Sequence, residues 1–322
     1  MISFIIPHYN GWPLLKKCLD SILVSCQKAN LKNLEIILVD NASTDSSLNN
    51  LKKEKLGSSF QLKILKNKSN QGFAKAVNQG AKEAKGDWLA ICNNDLKLDP
   101  LWLSQAIKII KDPTLSKKYS TIFGLVLNHD GTHIESEGLR YFLRGKAQNI
   151  GNHQPISPQS LNHYRTQPPR EIWGASASLV LYHRQEFLRL DGFDEDFFAY
   201  EEDVDLALRL NLSGLKTLFI PSAISYHLGG ATSSLMGNFR ARMDTKNWFF
   251  IILKNYSLST ILKNLWPIIE ERLRNLSGLI KQTIKIYKLS ALWQLPLSLL
   301  SVYTQVLIKL PIFLKKRTGP FL

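Results

Sequence analysis

The chain has 322 residues, 44% of them hydrophobic and 21% charged, with a formal charge of +15. That is enough apolar material for a full core and long for one domain, so one domain plus an appendage is the expectation. Cys18, Cys26 and Cys92 are an odd number with no paired spacing, which excludes a disulfide framework or zinc knuckle and fits a reducing cytosol.

From the N-terminus, Ile2-Ser3-Phe4-Ile5-Ile6 reads as a strand and meets Pro7 before an apolar stretch of signal-peptide length can form. Strands are predicted at 2–6, 34–39, 61–66 and 88–92, with helices at 14–26, 45–56 and 73–84 between them. This alternation is that of βαβ units in a mostly parallel sheet. Three of the strands finish in polar tips, Pro7-His8-Tyr9-Asn10, Asp40-Asn41 and Asn93-Asn94-Asp95. Strand C-termini are where open α/β sheets hold ligands. Asp99-Pro100 opens a helix through Ile110. After Ile122–Leu127 the rhythm changes, and 149–170, rich in Asn, His, Gln, Pro and Ser, predicts a long loop or partly ordered lid. Order resumes at Ile172–Leu181, followed by helices from about Arg184 and from Glu201 to Ser213. Lys216–Ile220 predicts a strand that stops at Pro221, and Ile224-Ser225-Tyr226 a separate short run ending in His227.

Glu201-Glu202-Asp203-Val204-Asp205 opens the second of those helices. Dipole complementation, at about 0.3–1 kcal/mol per acid, accounts for one or two of them. Four in five residues, following Asp191-Gly192-Phe193-Asp194-Glu195-Asp196, exceed what capping requires, and their repulsion can raise a carboxylate toward a general-base pKa. A lone His227 is more often structural than a ligand, and Asp95 alone more often a cap or turn former; together they could offer nitrogen and oxygen to a divalent cation. Gly72, in Asn70-Gln71-Gly72-Phe73, marks either an ordinary helix start or a junction whose N–H groups face an anion. GxGxxG after the first strand, GxxxxGK[ST] and GxSxG are all missing, which argues against a dinucleotide oxidoreductase, a P-loop enzyme and an α/β-hydrolase.

The ordered run Ile5-Ile6-Pro7-His8-Tyr9-Asn10, then Val39-Asp40-Asn41-Ala42-Ser43-Thr44-Asp45, then Asn70–Gly80, then Asn93-Asn94-Asp95 resembles glycosyltransferase family 2, the inverting GT-A enzymes. The segments around Trp173–Phe187 and Asp191–Leu210, with the later His227, look like its rhamnosyltransferase-like branch. The resemblance implies a GT-A (Rossmann-like) α/β domain over residues 1–239. It implies that Pro7, Tyr9 and Asp40 border the nucleotide, with Asn70 and Gly72 closing over it. Asn93, Asn94 and Asp95 would stand at the diphosphate, where Asn93 replaces the first acid common in the DxD signature. Asp95 and His227 would bind Mg2+ or Mn2+, Asp203 would be the catalytic base with Glu202 beside it, and Trp173, Gly174 and Ala175 would line the acceptor side.

Residues 240–322 hold 14 Lys and Arg against Asp244, Glu270 and Glu271, so +11 of the charge lies there. From Trp266 to Tyr287 apolar residues recur at three- and four-residue steps among basic ones, and 289–308 lacks any charge. This predicts a C-terminal helical extension that either packs on the catalytic domain or inserts shallowly into an anionic membrane. The combined expectation is a peripheral or monotopic enzyme at the cytoplasmic face of the membrane. It would move a sugar, rhamnose by the branch it resembles, from a nucleotide-diphosphate donor to a glycan or lipid-linked acceptor in cell-surface polysaccharide synthesis. The alternative is a catalytically weak sugar-nucleotide-binding scaffold; a nucleic-acid partner is not expected, for want of a reader motif.

Overall fold

The computed structural model describes residues 1–54, 60–228 and 237–317. β1 (Ile2–His8), β2 (Leu34–Asp40) and β4 (Trp88–Cys92) are buried along their whole length, as near-continuous aliphatic strands are in a sheet covered on both faces. β3 (Phe60–Lys66) is less buried and forms the edge. The connecting helices are α1 (Trp12–Lys28), α2 (Ser47–Lys53) and α3 (Phe73–Glu83). Residues 55 and 56, at the end of the predicted second helix, lie outside the described residues. β1 pairs in parallel with β2 on one side and β4 on the other, and β2 with β3. The strand order is thus 3-2-1-4, which brings the polar tips of β1, β2 and β4 to one rim at a topological switch point.

Beyond β4 the sheet is mixed. β11 (Leu179–His183) runs antiparallel between β4 and β6 (Tyr119–Asn128), β12 (Lys216–His227) runs parallel to β6, and β10 (Arg170–Ile172) closes the edge antiparallel. β5 (Leu96–Leu98) pairs with the end of β12, and β7 (Ile134–Ser136) with β6. The hairpin of β8 (Leu139–Phe142) and β9 (Lys146–Asn149) stands apart. Helices α4 (Trp102–Lys111), α5 (Pro113–Lys118), α7 (Arg184–Arg189) and α8 (Glu202–Leu212) complete this part.

Two expectations are corrected. The strand at Lys216 does not stop at Pro221. It continues to His227, because Pro221 falls where the register against β6 shifts between Ile220 and Ile224, and a bulge tolerates a residue without an N–H. The polar stretch 149–170 contains a helix, α6 (Pro158–Thr166), whose N-cap Ser157 accepts the N–H of Ser160.

The C-terminal helices are α9 (Phe239–Asn255), α10 (Leu258–Lys263), α11 (Leu265–Tyr287) and α12 (Ala291–Lys315). Residue 239, the last of the expected catalytic domain, is the first residue of α9. Trp248, Phe250 and Ile251 of α9 and Phe313 of α12 share one core with Leu139, Phe197, Val204 and Leu208. Phe250 stacks on Phe313 with ring centroids 4.0 Å apart. Lys254 Nζ binds Asp194 and Asp205, each at 2.9 Å, and Lys316 reaches Asp194 and Asp196 at 2.6 and 2.7 Å. Part of the basic charge of the extension therefore neutralises the acidic motif of the catalytic half.

Candidate active site

The strand tips open into a cleft of about 520 Å³. Pro7 and His8 of β1 with Tyr9 just beyond it, Asn41, Asn70 and Gly72, and Asn93-Asn94-Asp95 line one side. The loops of this wall are tied together. Asn10 Oδ1 accepts the N–H groups of Thr44 (2.8 Å) and Asp45 (3.2 Å), and Asn41 Nδ2 donates to the Gly72 carbonyl (3.1 Å). Asn70 Oδ1 in turn accepts the Gly72 N–H at 2.9 Å. Asn94 Nδ2 donates to His8 Nδ1 at 2.8 Å, while burial pushes the pKa of His8 down. Asp40 is buried at the end of β2, accepts the Ser43 N–H at 3.2 Å and stands behind the lining.

Gly72 is in the left-handed region with φ +85°, and a Cβ there would lie 2.5 Å from the Phe198 carbonyl oxygen and 2.7 Å from its ring. Both the dihedral and the close approach require glycine. Gly214, at φ +73° with nothing within 4 Å of its virtual Cβ, shares only the dihedral. Gly72→Ala is therefore expected to lose about 1–3 kcal/mol of stability in urea denaturation, and Gly214→Ala about 1 kcal/mol. Equal losses in the two variants would show that Phe198 gives way freely.

Opposite β4, the extended β12 and its partner β5 bring His227 beside Asp95. His227 Nε2 lies 3.1 Å from Asp95 Oδ1, and His227 Nδ1 lies 2.6 Å from Glu135 Oε1 on β7. Burial opposes a charged ring, but these two carboxylates outweigh it and push the His227 pKa up to about 10. Imidazole with carboxylate oxygens is a donor set that suits Mn2+ or Mg2+, and a second carboxylate on the far ring nitrogen is the usual orienting partner of a ligating histidine. Among the described residues no group of three or more such side chains is arranged to hold a metal by itself. The residues thus fit a cation that takes its remaining ligands from a bound molecule and water.

Across the cleft, Glu201, Glu202 and Asp203 stand at the start of α8. Asp203 Oδ2 accepts the Ala177 N–H at 2.9 Å and Oδ1 the Val204 N–H at 2.8 Å. Burial raises the Asp203 pKa although both N–H groups pull it down. Glu202, 5% exposed, is pushed well above the usual carboxylate range by burial and by the charge of Asp203, and its Oε2 lacks a partner. Glu201 is raised likewise by burial and by Asp244. In a first helical turn, N–H groups and dipole favour an anion. Asp203 holds one of those N–H groups, that of Val204, together with the N–H of Ala177 from outside the helix.

Trp173, Gly174 and Ala175 lie outside the cleft lining, which Ser176, Ala177 and Ser178 provide instead. The Trp173 ring stacks on Tyr141 at 4.9 Å, and Gly174 bonds to Leu139 through a backbone bridge. This segment reaches the cleft only through its C-terminal continuation.

The profile of the family described as "Glycosyl transferase family 2" matches residues 3–163, half of the chain. The chain belongs to glycosyl transferase family 2. An uncharacterized glycosyltransferase of Haemophilus influenzae is 25% identical over 211 residues, 65% of this chain and 62% of that protein. N-acetylglucosaminyl-diphospho-decaprenol L-rhamnosyltransferase of Mycobacterium tuberculosis is 26% identical over 226 residues, 65% of this chain and 71% of that one. In fold, the chain is similar to a mannosyltransferase from Pyrobaculum calidifontis solved with GDP-Man and Mn2+. That likeness has a TM-score of 0.55 at 16% identity and covers 98% of this chain and 85% of the other.

One residue that lines the cleft, Glu135, was not singled out by the sequence pattern, and three more pack behind the segment that carries Asp203. Glu135 enters only because β7 pairs with β6 beside His227, and no spacing announces it. Asn247, Lys254 and Asn255 of α9 lie at seven- and eight-residue steps, which places them on one face, and they flank its apolar run Trp248–Leu253.

Proposed function

We propose that this glycosyltransferase moves one sugar from a nucleotide-diphosphate donor to a hydroxyl of a glycan or polyprenyl-diphosphate-linked acceptor, with inversion at C1. The observation that carries this reading is the half-buried Asp203 carboxylate facing, across a single cleft, the strand tip Asn93-Asn94-Asp95. The donor nucleotide sits on Pro7, Tyr9 and Asn70, with Asp40 behind them and Gly72 at the turn, and its diphosphate at Asn93, Asn94 and Asp95. Asp95 and His227 hold a Mg2+ or Mn2+ ion, whose charge, when bound, stabilises the departing diphosphate. Asp203 takes the proton of the acceptor hydroxyl, which is a poor nucleophile until it is deprotonated. Glu202 stands next to it with its protonated form favoured by burial, and the acceptor enters beside Ser176–Ser178, with Trp173–Ala175 as the support behind. One displacement inverts the anomeric carbon. The relative from Mycobacterium tuberculosis supports rhamnose as the sugar and a lipid diphosphate as the acceptor's anchor. Thermal denaturation with dTDP-rhamnose, UDP-GlcNAc or GDP-mannose, each with Mn2+ and with EDTA, tests the donor site. A ligand at 100 times its Kd adds about 2.7 kcal/mol of stability, expected for at least one of them and lost in EDTA. The absence of stabilisation by all three would contradict the reading.

The enzyme works, in this proposal, from the cytoplasmic face of an anionic membrane. Among the described residues α12 is the one helix long and apolar enough to cross a bilayer, and 17% of its apolar window is buried. Trp266 and Trp293 are 75% and 78% exposed, near the exposed Lys281, Lys285 and Lys288 in the chain. Aromatic and aliphatic anchors with Lys, each Lys contributing about 1 kcal/mol near anionic lipid, suit shallow insertion. The full chain should sediment with phosphatidylglycerol vesicles and be released only in part by salt. The Trp266→Ala/Trp293→Ala variant should bind at least tenfold more weakly. Equal sedimentation with neutral and anionic vesicles would contradict the role of the basic charge.

A further inference from the structure

We infer that Asn247 of α9 is a positioning residue for Asp203, acting through the backbone that leads into α8. This rests on the assignment of Asp203 as the base. The segment before α8 is strained: Phe198, Tyr200 and Glu201 all have positive φ, at 69°, 68° and 66°. Bulky non-glycine residues hold such a course only when their surroundings impose it, and clusters of them mark sites where geometry matters more than local stability.

Asn247 supplies the constraint. Its Nδ2 donates to the carbonyl oxygens of Tyr200 (2.7 Å), Ala199 (2.9 Å) and Phe197 (3.2 Å). The left-handed turns aim these three carbonyls at one point, where their dipoles repel one another unless a donor stands between them. An amide nitrogen has two hydrogens, so one bond is shared among the three acceptors. Asn247 is fully buried, at 0% exposure, and solvent has no path to take over these bonds. Asparagine is also a poor residue for the interior of a helix, and burying its amide is costly without such partners.

The constrained loop touches both halves of the site. The Phe198 carbonyl accepts the Ala74 N–H at 3.2 Å, and the Phe198 ring packs on Gly72 on the donor side. At its other end the loop delivers Glu202 and Asp203 as the first turn of α8. Through one side chain, a helix of the C-terminal extension sets the distance between donor wall and base.

The test compares the full-length wild type with Asn247→Ala and Asn247→Asp. The second variant keeps the shape but turns an acceptor toward three carbonyls. Two quantities are read: backbone amide exchange, and release of nucleotide diphosphate from whichever of UDP-GlcNAc, GDP-mannose and dTDP-rhamnose is turned over fastest, with water as acceptor. Exchange at Ala74 and at residues 198–204 should quicken at least tenfold while β1 and β4 stay protected. A misplaced reacting group costs about 10²-fold in rate when the shift reaches an ångström, so kcat should fall between about tenfold and 100-fold, with KM for the nucleotide sugar within threefold. Unchanged kcat, with or without faster exchange, would overturn the inference. So would exchange that quickens equally throughout the chain, since a merely structural residue does that. Asp203→Asn measured alongside separates the two claims. Near-normal release in that variant removes the base assignment, and the exchange comparison still decides whether Asn247 holds the loop.

Discussion

Asp203→Asn is expected to lower kcat by about 10²–10⁴ while nucleotide-sugar binding stays within a few fold of wild type. The substitution keeps the size of the side chain and one acceptor for the N–H groups of Ala177 and Val204. The cost in stability should thus stay near that of one lost hydrogen bond to a charged group, about 1.5–3 kcal/mol. The pH dependence gives a second signature. Burial holds the Asp203 pKa above its ordinary value, so the base is lost to protonation on the acid side at a pH higher than about 4, the value of a free aspartate. kcat should fall through that pKa as the pH is lowered in the wild type, and this limb should vanish in the variant. Glu202→Gln should do much less, because burial and the charge of Asp203 already favour the protonated form of Glu202, which the amide resembles. A variant at Asp203 with near-normal turnover would move the base elsewhere.

Asp205→Ala is expected to be the most damaging single change to the fold, at about 3–5 kcal/mol. Asp205 is fully buried two residues beyond the base and takes bonds from Arg209 Nε (2.8 Å), Lys254 Nζ (2.9 Å) and Asn255 Nδ2 (3.1 Å). Removing it leaves Arg209 without its carboxylate and Lys254 with Asp194 alone, two cations sharing one anion. Its desolvation opposes ionisation, but Arg209 and Lys254 outweigh that and hold the Asp205 carboxyl well below the usual carboxylate range. A depressed folded pKa contributes stability that is full above the unfolded value, about 3.9, and is lost as the pH falls through the folded one. The difference between wild type and Asp205→Ala in denaturant titrations should therefore be constant near neutrality and shrink below about pH 4. A difference that grows on acidification would contradict the assignment. The same contacts bear on the division of the chain. A protein ending at Gly237 would strip Lys254 from Asp194 and Asp205 and uncover Phe197, Val204 and Leu208.

The first hundred residues were legible because each strand there is a local apolar run closed by a polar tip, and a parallel sheet buries such runs whole. The strands at 2–6, 34–39, 61–66 and 88–92 fall within β1 to β4. The passage of β12 through Pro221 was not legible, since a bulge is decided by the partner strand and not by the proline. The excess of acid around Asp194 and Asp205 was visible, but its counter-ions come from Lys254, Lys309 and Lys316, about 50 to 120 residues further on. Charge in sequence shows sign and density, not pairing. For that reason the sequence left packing and membrane insertion of the basic extension both open, and only the fold shows which of its lysines pair with the acidic motif. The stacking of the Trp173 ring on Tyr141 was not legible either, since the two residues lie far apart in the chain.

A crystal structure of the Asp203→Asn variant with a nucleotide sugar and Mn2+ tests the central claim most directly. The diphosphate and metal should lie at Asn93-Asn94-Asp95 and His227, with the sugar C1 facing residue 203 across the cleft and open to in-line attack from the side of Ser176–Ser178. A nucleotide seated away from the β1 and β4 tips, or a C1 turned away from residue 203, would contradict it.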